Sequence, residues 1–104
     1  MNVMRATSFE FVQLWPKRIF TPNGDGINDE VTFLFENPKL SIITGKVFDI
    51  HGAYVTDLAP GDDPYTSLVW DGKNKGSNTV RKGIYIYQIK CEGSVYNGTV
   101  VVAR

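Results

Sequence analysis

Short apolar runs separated by turn-forming residues extend along the whole of this 104-residue sequence. The chain contains 10 glycines and 5 prolines, and asparagine and aspartate interrupt it just as often. Few windows repeat apolar residues at three and four positions, which is the pattern of a helix that packs on a core. The sequence therefore predicts an all-β protein with almost no helix.

The apolar runs alternate as strands do. Residues 31–35 (VTFLF) place Val31, Phe33 and Phe35 on one face, and residues 84–91 (IYIYQIKC) alternate over a longer run. Runs of this kind recur at the spacing of about 8–12 residues that is typical of a sandwich, which predicts an antiparallel β-sandwich of about seven strands. In the longer run we expect one set to point inward: Tyr85, Tyr87, Ile89 and Cys91.

Size and charge limit the organisation and the partners of the chain. A mass of 11.6 kDa fits one domain with one hydrophobic core. Eleven basic residues balance 11 acidic ones, so we expect no nucleic-acid partner. We expect no membrane insertion either, because no stretch approaches the ~18 consecutive apolar residues of a span. The start of the sequence has no apolar core of a signal peptide, and we expect an excised piece of a longer protein.

Two residues could carry chemistry, and both have a structural interpretation. His51 precedes Gly52 in a predicted hairpin turn, and no serine or cysteine pattern pairs with it as a catalytic triad requires. Cys91, the only cysteine, excludes an internal disulfide. Its place on the inward face predicts a buried small apolar residue in preference to a reactive thiol. We therefore expect no enzyme.

Three motifs follow one another in the sequence. They are residues 20–29 (FTPNGDGIND), residues 69–72 (VWDG), and residues 83–89 (GIYIYQI) running into residues 98–104 (GTVVVAR). In this order and spacing they resemble the immunoglobulin-like domain of flagellar hook-capping type. They also resemble the gliding-motility-type C-terminal domain, a sorting domain of type IX secretion. The resemblance covers residues 18–104.

The resemblance implies an immunoglobulin- or fibronectin-III-like sandwich at the C-terminal end of a bacterial exported or surface protein. The implied function is that of a non-catalytic sorting signal, spacer or anchoring module. Its partners would be the rest of the parent polypeptide and the secretion machinery, and we expect a monomer that is secreted or displayed on the cell surface. Residues 1–17 lie outside the resemblance and are interpreted as a first strand or the tail of a preceding domain.

The acidic loop of the first motif is a candidate calcium site. It brings two carboxylates and two amides into residues 23–29, and calcium takes 6–8 oxygen ligands. The alternative is that the same side chains bond their own backbone in consecutive turns, which explains every residue type of the loop without a metal. The spacing does not fit an EF-hand, and turn chemistry is the favoured interpretation. The candidate ligands are Asn23, Asp25, Asn28 and Asp29.

A carbohydrate- or calcium-binding module attached to an enzyme or adhesin is the alternative function. It would be favoured if Trp15 and Trp70 formed an exposed stacking platform, whereas a sandwich of this type ordinarily uses such a tryptophan in its core. Asp71 is predicted to end its strand by bonding backbone amides further along the loop. Residues 91–94 are predicted to turn into a terminal strand over residues 95–102 that pairs back with the strand before it. Asn97-Gly98, which lies between two apolar runs, also indicates a turn, in preference to a glycosylation site.

Overall fold

The computed structural model of the protein describes residues 10–15, 18–24, 26 and 29–103. These residues contain nine strands and no helix, and hence no helix that could cross a membrane. The strands are β1 (Glu10–Trp15), β2 (Ile19–Phe20), β3 (Val31–Glu36), β4 (Thr44–Phe48), β5 (Tyr54–Asp57), β6 (Ala59–Pro60), β7 (Ser67–Trp70), β8 (Gly83–Cys91) and β9 (Ser94–Val102).

The strands form two sheets of a β-sandwich. The four-stranded sheet has the order β1-β3-β7-β6, and the five-stranded sheet has the order β2-β9-β8-β4-β5. All pairs are antiparallel except β2 and β9, which run parallel and place Ile19 beside Val101. The predicted all-β sandwich is confirmed, with two of its nine strands only two residues long.

The core lies between the sheets, where the alternation of the sequence placed it. Val31, Phe33 and Phe35 of β3 are buried. The inward set of β8 is confirmed as well, because every second residue of that strand is buried while its neighbours are exposed or half-buried. Alternation of this kind lets one strand bury its apolar side and keep the other on the outer face. The inward set of β8 is Tyr85, Tyr87, Ile89 and Cys91.

The hairpin between β8 and β9 turns earlier than the Asn-Gly pair predicts. Cys91 pairs with Ser94, and residues 92 and 93 form the two-residue turn, both with positive φ. Asn97 and Gly98 instead pair with Gln88 and Tyr87 inside the strands, so their interpretation as a turn is wrong. The physical reason is packing, since a Cβ atom at Gly98 would overlap the ring of Tyr87.

The N-terminal strand β1 pairs antiparallel with β3, with an irregular register between Phe11 and Gln13. Phe11 packs against the core of the sandwich. Residues 1–9, 16 and 17 lie outside the described part of the chain. The division of the chain at residue 18 stays a prediction.

Candidate functional site

The three sequence motifs meet at one end of the sandwich. Phe20 from the first motif lies against Trp70 from the second, with ring centroids 5.4 Å apart and edge-to-face. Trp70 in turn packs edge-to-face on Tyr85 of the third motif at 5.3 Å. Such tilted pairs contribute beyond their buried area because ring edges and faces carry opposite partial charge. We call these three residues, with Pro22 and Gly72, the motif cluster.

The polar atoms of the motif cluster are bonded to nearby loops. The indole Nε1 of Trp70 donates to the carbonyl of Lys73 at 2.9 Å. The hydroxyl of Tyr85 donates to the carbonyl of Arg81 at 2.7 Å. Burial raises the pKa of Tyr85, and the nearby negative charge of Asp49 raises it further. These groups are therefore bonded inside the fold and hold the loops that follow β7 and precede β8.

The Trp-Asp-Gly turn completes the motif cluster. Gly72 has a φ of 76°, and a Cβ atom there would lie 2.6 Å from Cγ of Pro22, so only glycine fits. Its carbonyl accepts a hydrogen bond from the amide of Val80 at 2.8 Å. The side chain of Asp71 accepts from the amide of Lys73 at 3.1 Å, which confirms its predicted role in the turn.

The acidic loop of the first motif is organised by Asp29. One carboxylate oxygen of Asp29 accepts from the amide of Gly24 at 3.0 Å, and the other accepts from the amide of Gly26 at 2.6 Å. This is the turn chemistry expected for such a loop. Asp25 and Asn28 lie outside the described residues, so calcium binding by the loop stays a prediction.

The described residues contain no group of three or more histidine, cysteine, aspartate or glutamate side chains that could hold a metal ion. In the acidic loop of the first motif, the candidate ligand Asn23 is exposed and Asp29 is half-buried. The other two candidate ligands of that loop are not among the described residues.

The two tryptophans differ strongly in solvent exposure. Trp15 on β1 is 59% exposed, whereas Trp70 is 2% exposed inside the motif cluster. The stacking platform that would favour a carbohydrate-binding module therefore does not form, and the core interpretation of Trp70 is confirmed. A groove of about 850 Å³ runs beside Trp15 on the outer side of the four-stranded sheet, and its rim includes the carboxylates of Glu30, Asp62 and Asp63.

The other two candidate residues have structural roles. Cys91 is buried at the end of β8, and burial raises the pKa of its thiol, with a further contribution from Glu92. A raised pKa leaves less thiolate, which is the nucleophilic form. His51 is exposed in the turn after β4, where its amide donates to the carboxylate of Asp49 at 2.8 Å. Neither residue belongs to a catalytic arrangement in the described part of the chain.

The feature that sequence reasoning missed lies on the outer side of the five-stranded sheet. There Ile84 and Ile86 of β8 lie beside apolar residues of the neighbouring strands. In the sequence both isoleucines alternate with the inward residues of β8, in a set whose other members are Gln88 and Lys90. This set gave no signal that apolar residues continue on that side across several strands.

A solved structure contains a domain with the fold of this chain. A solved structure of PorZ, an essential bacterial surface component of the type IX secretion system of Porphyromonas gingivalis, matches with a TM-score of 0.62 and 17% sequence identity. The match covers 88% of this chain and 11% of the PorZ chain, so this chain spans about a tenth of that protein. At this identity the likeness shows a shared fold.

No curated protein sequence matches the chain. A family model, the CHU_C type IX secretion signal domain, matches residues 14–102. This range includes the last two residues of β1, the strands β2 to β9, and the three motifs except residues 103 and 104. Domains of this family mark proteins that are exported to the cell surface or secreted. By its motifs, its sandwich and this match, the chain belongs to the CHU_C type IX secretion signal domain family.

Proposed function

We propose that this chain is a non-catalytic sorting domain that acts as a folded unit, and that type IX secretion machinery recognises it and exports the polypeptide attached to it. The observation that carries the proposal is the family match over residues 14–102. The family is described as a secretion signal, and since the match spans the folded domain, we infer that the signal is read from the surface of the fold.

The central residues of the motifs are buried, which supports a role in specifying the fold. Phe20 is fully buried, and Trp70 and Tyr85 are almost so. Their polar atoms are bonded to backbone carbonyls of the same domain. Side chains used in this way specify one fold and leave little for a substrate to contact. Recognition would then depend on residues that the motifs position and that the outer surfaces of the sheets display.

A role as spacer or anchor is the alternative within the same family. A spacer needs only a stable fold, whereas a sorting domain needs a partner in the secretion machinery. A sorting domain should therefore cause the export of an unrelated protein that is fused to it, whereas a spacer should not. A carbohydrate-binding role has less support, because Trp70 is buried and only Trp15 offers an exposed indole.

The test is a fusion of the full 104-residue chain to the C-terminus of a reporter enzyme. It is expressed in a bacterium that has the type IX system and in an isogenic strain that lacks it. We expect reporter activity at the cell surface or in the medium only when both the domain and the system are present. Retention of the fusion in the strain that has the system would exclude the sorting role and leave the spacer role.

A variant pair tests whether the fold itself is the signal. Trp70→Ala removes the centre of the motif cluster, and Trp15→Ala removes an exposed indole of the same type. We expect export to fall with the folded fraction in the Trp70→Ala fusion and to stay at the level of the unmodified fusion in the other. Full export of an unfolded Trp70→Ala fusion would show that a linear segment is read instead.

A further inference from the structure

The outer side of the five-stranded sheet carries two rows of apolar side chains that follow its strand register. In the first row Ile19 of β2 pairs with Val101 of β9, which pairs with Ile84 of β8. In the next row Ile86 of β8 pairs with Phe48 of β4. Residues paired in this way have neighbouring side chains on one face of a sheet. These five residues form the apolar face.

Water contacts much of this apolar face. Ile19 is 51% exposed and Ile84 is 47% exposed, while the other three are half-buried. An antiparallel sheet with one solvated side usually places polar residues there. Single exposed apolar residues are ordinary, but a set that is contiguous across four strands is typical of an interaction surface.

The charge on the same side of the sheet is positive. The register of β4 and β8 places Lys46 and Lys90 on this side of the sheet, because Lys46 pairs with Gln88 and Thr44 pairs with Lys90. Asp57 is the one carboxylate that the described strands place there. It is already bonded to Lys46 at 3.6 Å and to the hydroxyl of Tyr54 at 2.9 Å.

The opposite side of the molecule has the other sign. The groove on the four-stranded sheet is rimmed by Glu30, Asp62, Asp63 and Asp71, with Lys73 and Lys75 as its cations, and Asp57 at the edge of the other sheet also lines it. Carboxylates therefore outnumber cations around the groove, whereas the described strands place two lysines beside the apolar face. Complementary charge steers encounter and discourages incorrect partners. The apolar face with its lysines therefore fits a partner that offers carboxylates around an apolar centre.

We propose that the apolar face is the surface by which this domain docks on a protein of its export machinery, and that the matching surface of that protein is apolar and acidic. This inference rests on the proposed sorting function. A membrane surface fits less well, since recognition of anionic lipid uses clusters of about 4–8 lysines or arginines. The register places two lysines here, and flat rows of β-branched residues on a sheet suit a rigid protein surface.

The decisive experiment compares two substitutions at one position in the reporter fusion. Ile84→Asp and Ile84→Lys both remove the same half-exposed apolar side chain, but they introduce opposite charges. We expect Ile84→Asp to lower export about tenfold or more, since loss of a central apolar contact is joined by repulsion from carboxylates. Ile84→Lys should retain severalfold more export. Equal export by both variants and the unmodified fusion would overturn the proposal.

Matched controls separate docking from folding. Val69→Asp introduces the same charge on the outer side of the other sheet, where Val69 lines the groove. Lys90→Glu reverses a cation beside the apolar face, and Lys73→Glu reverses one at the groove. With melting temperatures matched to the unmodified domain, we expect Ile84→Asp and Lys90→Glu to lower export and the two groove variants to leave it unchanged. An equal loss from the groove variants would contradict the assignment of the face.

Evidence that the apolar face binds a membrane or a second copy of the chain would also overturn the proposal. Binding of the isolated domain to phosphatidylglycerol vesicles that Ile84→Asp abolishes would assign the apolar face to a membrane. A dimer in sedimentation that Ile84→Asp dissociates would assign it to a second copy. Export of the unmodified fusion tests the sorting function separately from the docking surface. If that fusion is not exported, the sorting function fails, whereas export that resists Ile84→Asp removes only the docking surface.

Discussion

Two aromatic groups fill the space between the sheets, and they differ in how the chain assembles them. The motif cluster joins Phe20, Trp70 and Tyr85, each from a separate sequence motif. The second group is centred on Tyr87, which packs on Phe33 at 4.9 Å and on Phe11 at 5.6 Å between ring centroids. Only Tyr87 of the second group belongs to a motif, the third, whereas Phe11 and Phe33 lie outside all three motifs.

The difference reflects what each group has to organise. Trp70 and Tyr85 bond loop carbonyls within four residues, so their neighbours in the sequence must have particular turn chemistry. Around Tyr87 the contacts are apolar and come from strands far apart in the sequence, so alternation is enough to specify them. The motifs thus supply the residues that fix loops, Trp70 and Tyr85, while strand alternation outside the motifs supplies Phe11 and Phe33 to the core.

The largest expected effect is the loss of Trp70. Trp70→Ala should lower the free energy of unfolding by about 3–5 kcal/mol, because it leaves a cavity at the centre of the motif cluster. Chemical denaturation monitored by circular dichroism measures this change. Phe33→Ala tests the second group in the same way, and Trp15→Ala is the exposed control. A Trp70→Ala variant as stable as Trp15→Ala would show that the motif cluster is not part of the core.

The second group depends on a glycine on the facing strand. Gly98→Ala should lower the free energy of unfolding by about 1–3 kcal/mol, because the new Cβ atom overlaps the Tyr87 ring and the hairpin has to shift. Thermal and chemical unfolding of the variant measure the loss. Gly76→Ala is the control, since its nearest neighbour would be at 3.4 Å. If both variants unfold alike, the ring of Tyr87 does not constrain β9.

The loop that leads into the motif cluster has a smaller contribution. Asp29→Ala should cost about 1 kcal/mol, because the amides of Gly24 and Gly26 lose their acceptors but can turn to water. Melting curves of the EDTA-treated domain with and without millimolar calcium test the loop further. We expect no calcium shift, since turn chemistry holds the loop. An increase in melting temperature that Asp29→Ala abolishes would establish the calcium site.

The smallest effect is absent at neutral pH and appears only in alkali. Burial raises the pKa of both Tyr85 and Tyr87 in the folded state, while the unfolded chain ionises near the ordinary tyrosine value of about 10. Above that value the unfolded state binds fewer protons, so stability falls as pH rises. Denaturation midpoints between neutral and strongly alkaline pH measure the loss. Tyr85→Phe and Tyr87→Phe should each flatten the curve, and a curve unchanged in either variant would contradict burial of that hydroxyl.

The sequence could predict the core because the core rests on alternation. The inward residues of β3 and β8 follow from period-two patterns, and Asp71 follows from the chemistry of its own turn. Asn97-Gly98 could not be placed, because its local preference for a turn is overridden by Tyr87 on the neighbouring strand. The apolar face was equally hidden. Its rows join residues of β2, β4, β8 and β9, and only the register of the folded sheet brings them together.

The parallel pairing of β2 with β9 also makes the fold depend on the synthesis of its last described strand. Ile19 and Phe20 find their neighbours at Val101 and Val102, so a ribosome must add most of the domain before this pair can close. Closing so long a loop is slow, because chain entropy is lost before the contacts form. A chain that stalls before residues 94–102 lacks β9, and with it Val101, which joins Ile19 to Ile84 in the apolar face. If the domain is the sorting signal that we propose, a product truncated before β9 would lack the folded signal and would be left behind.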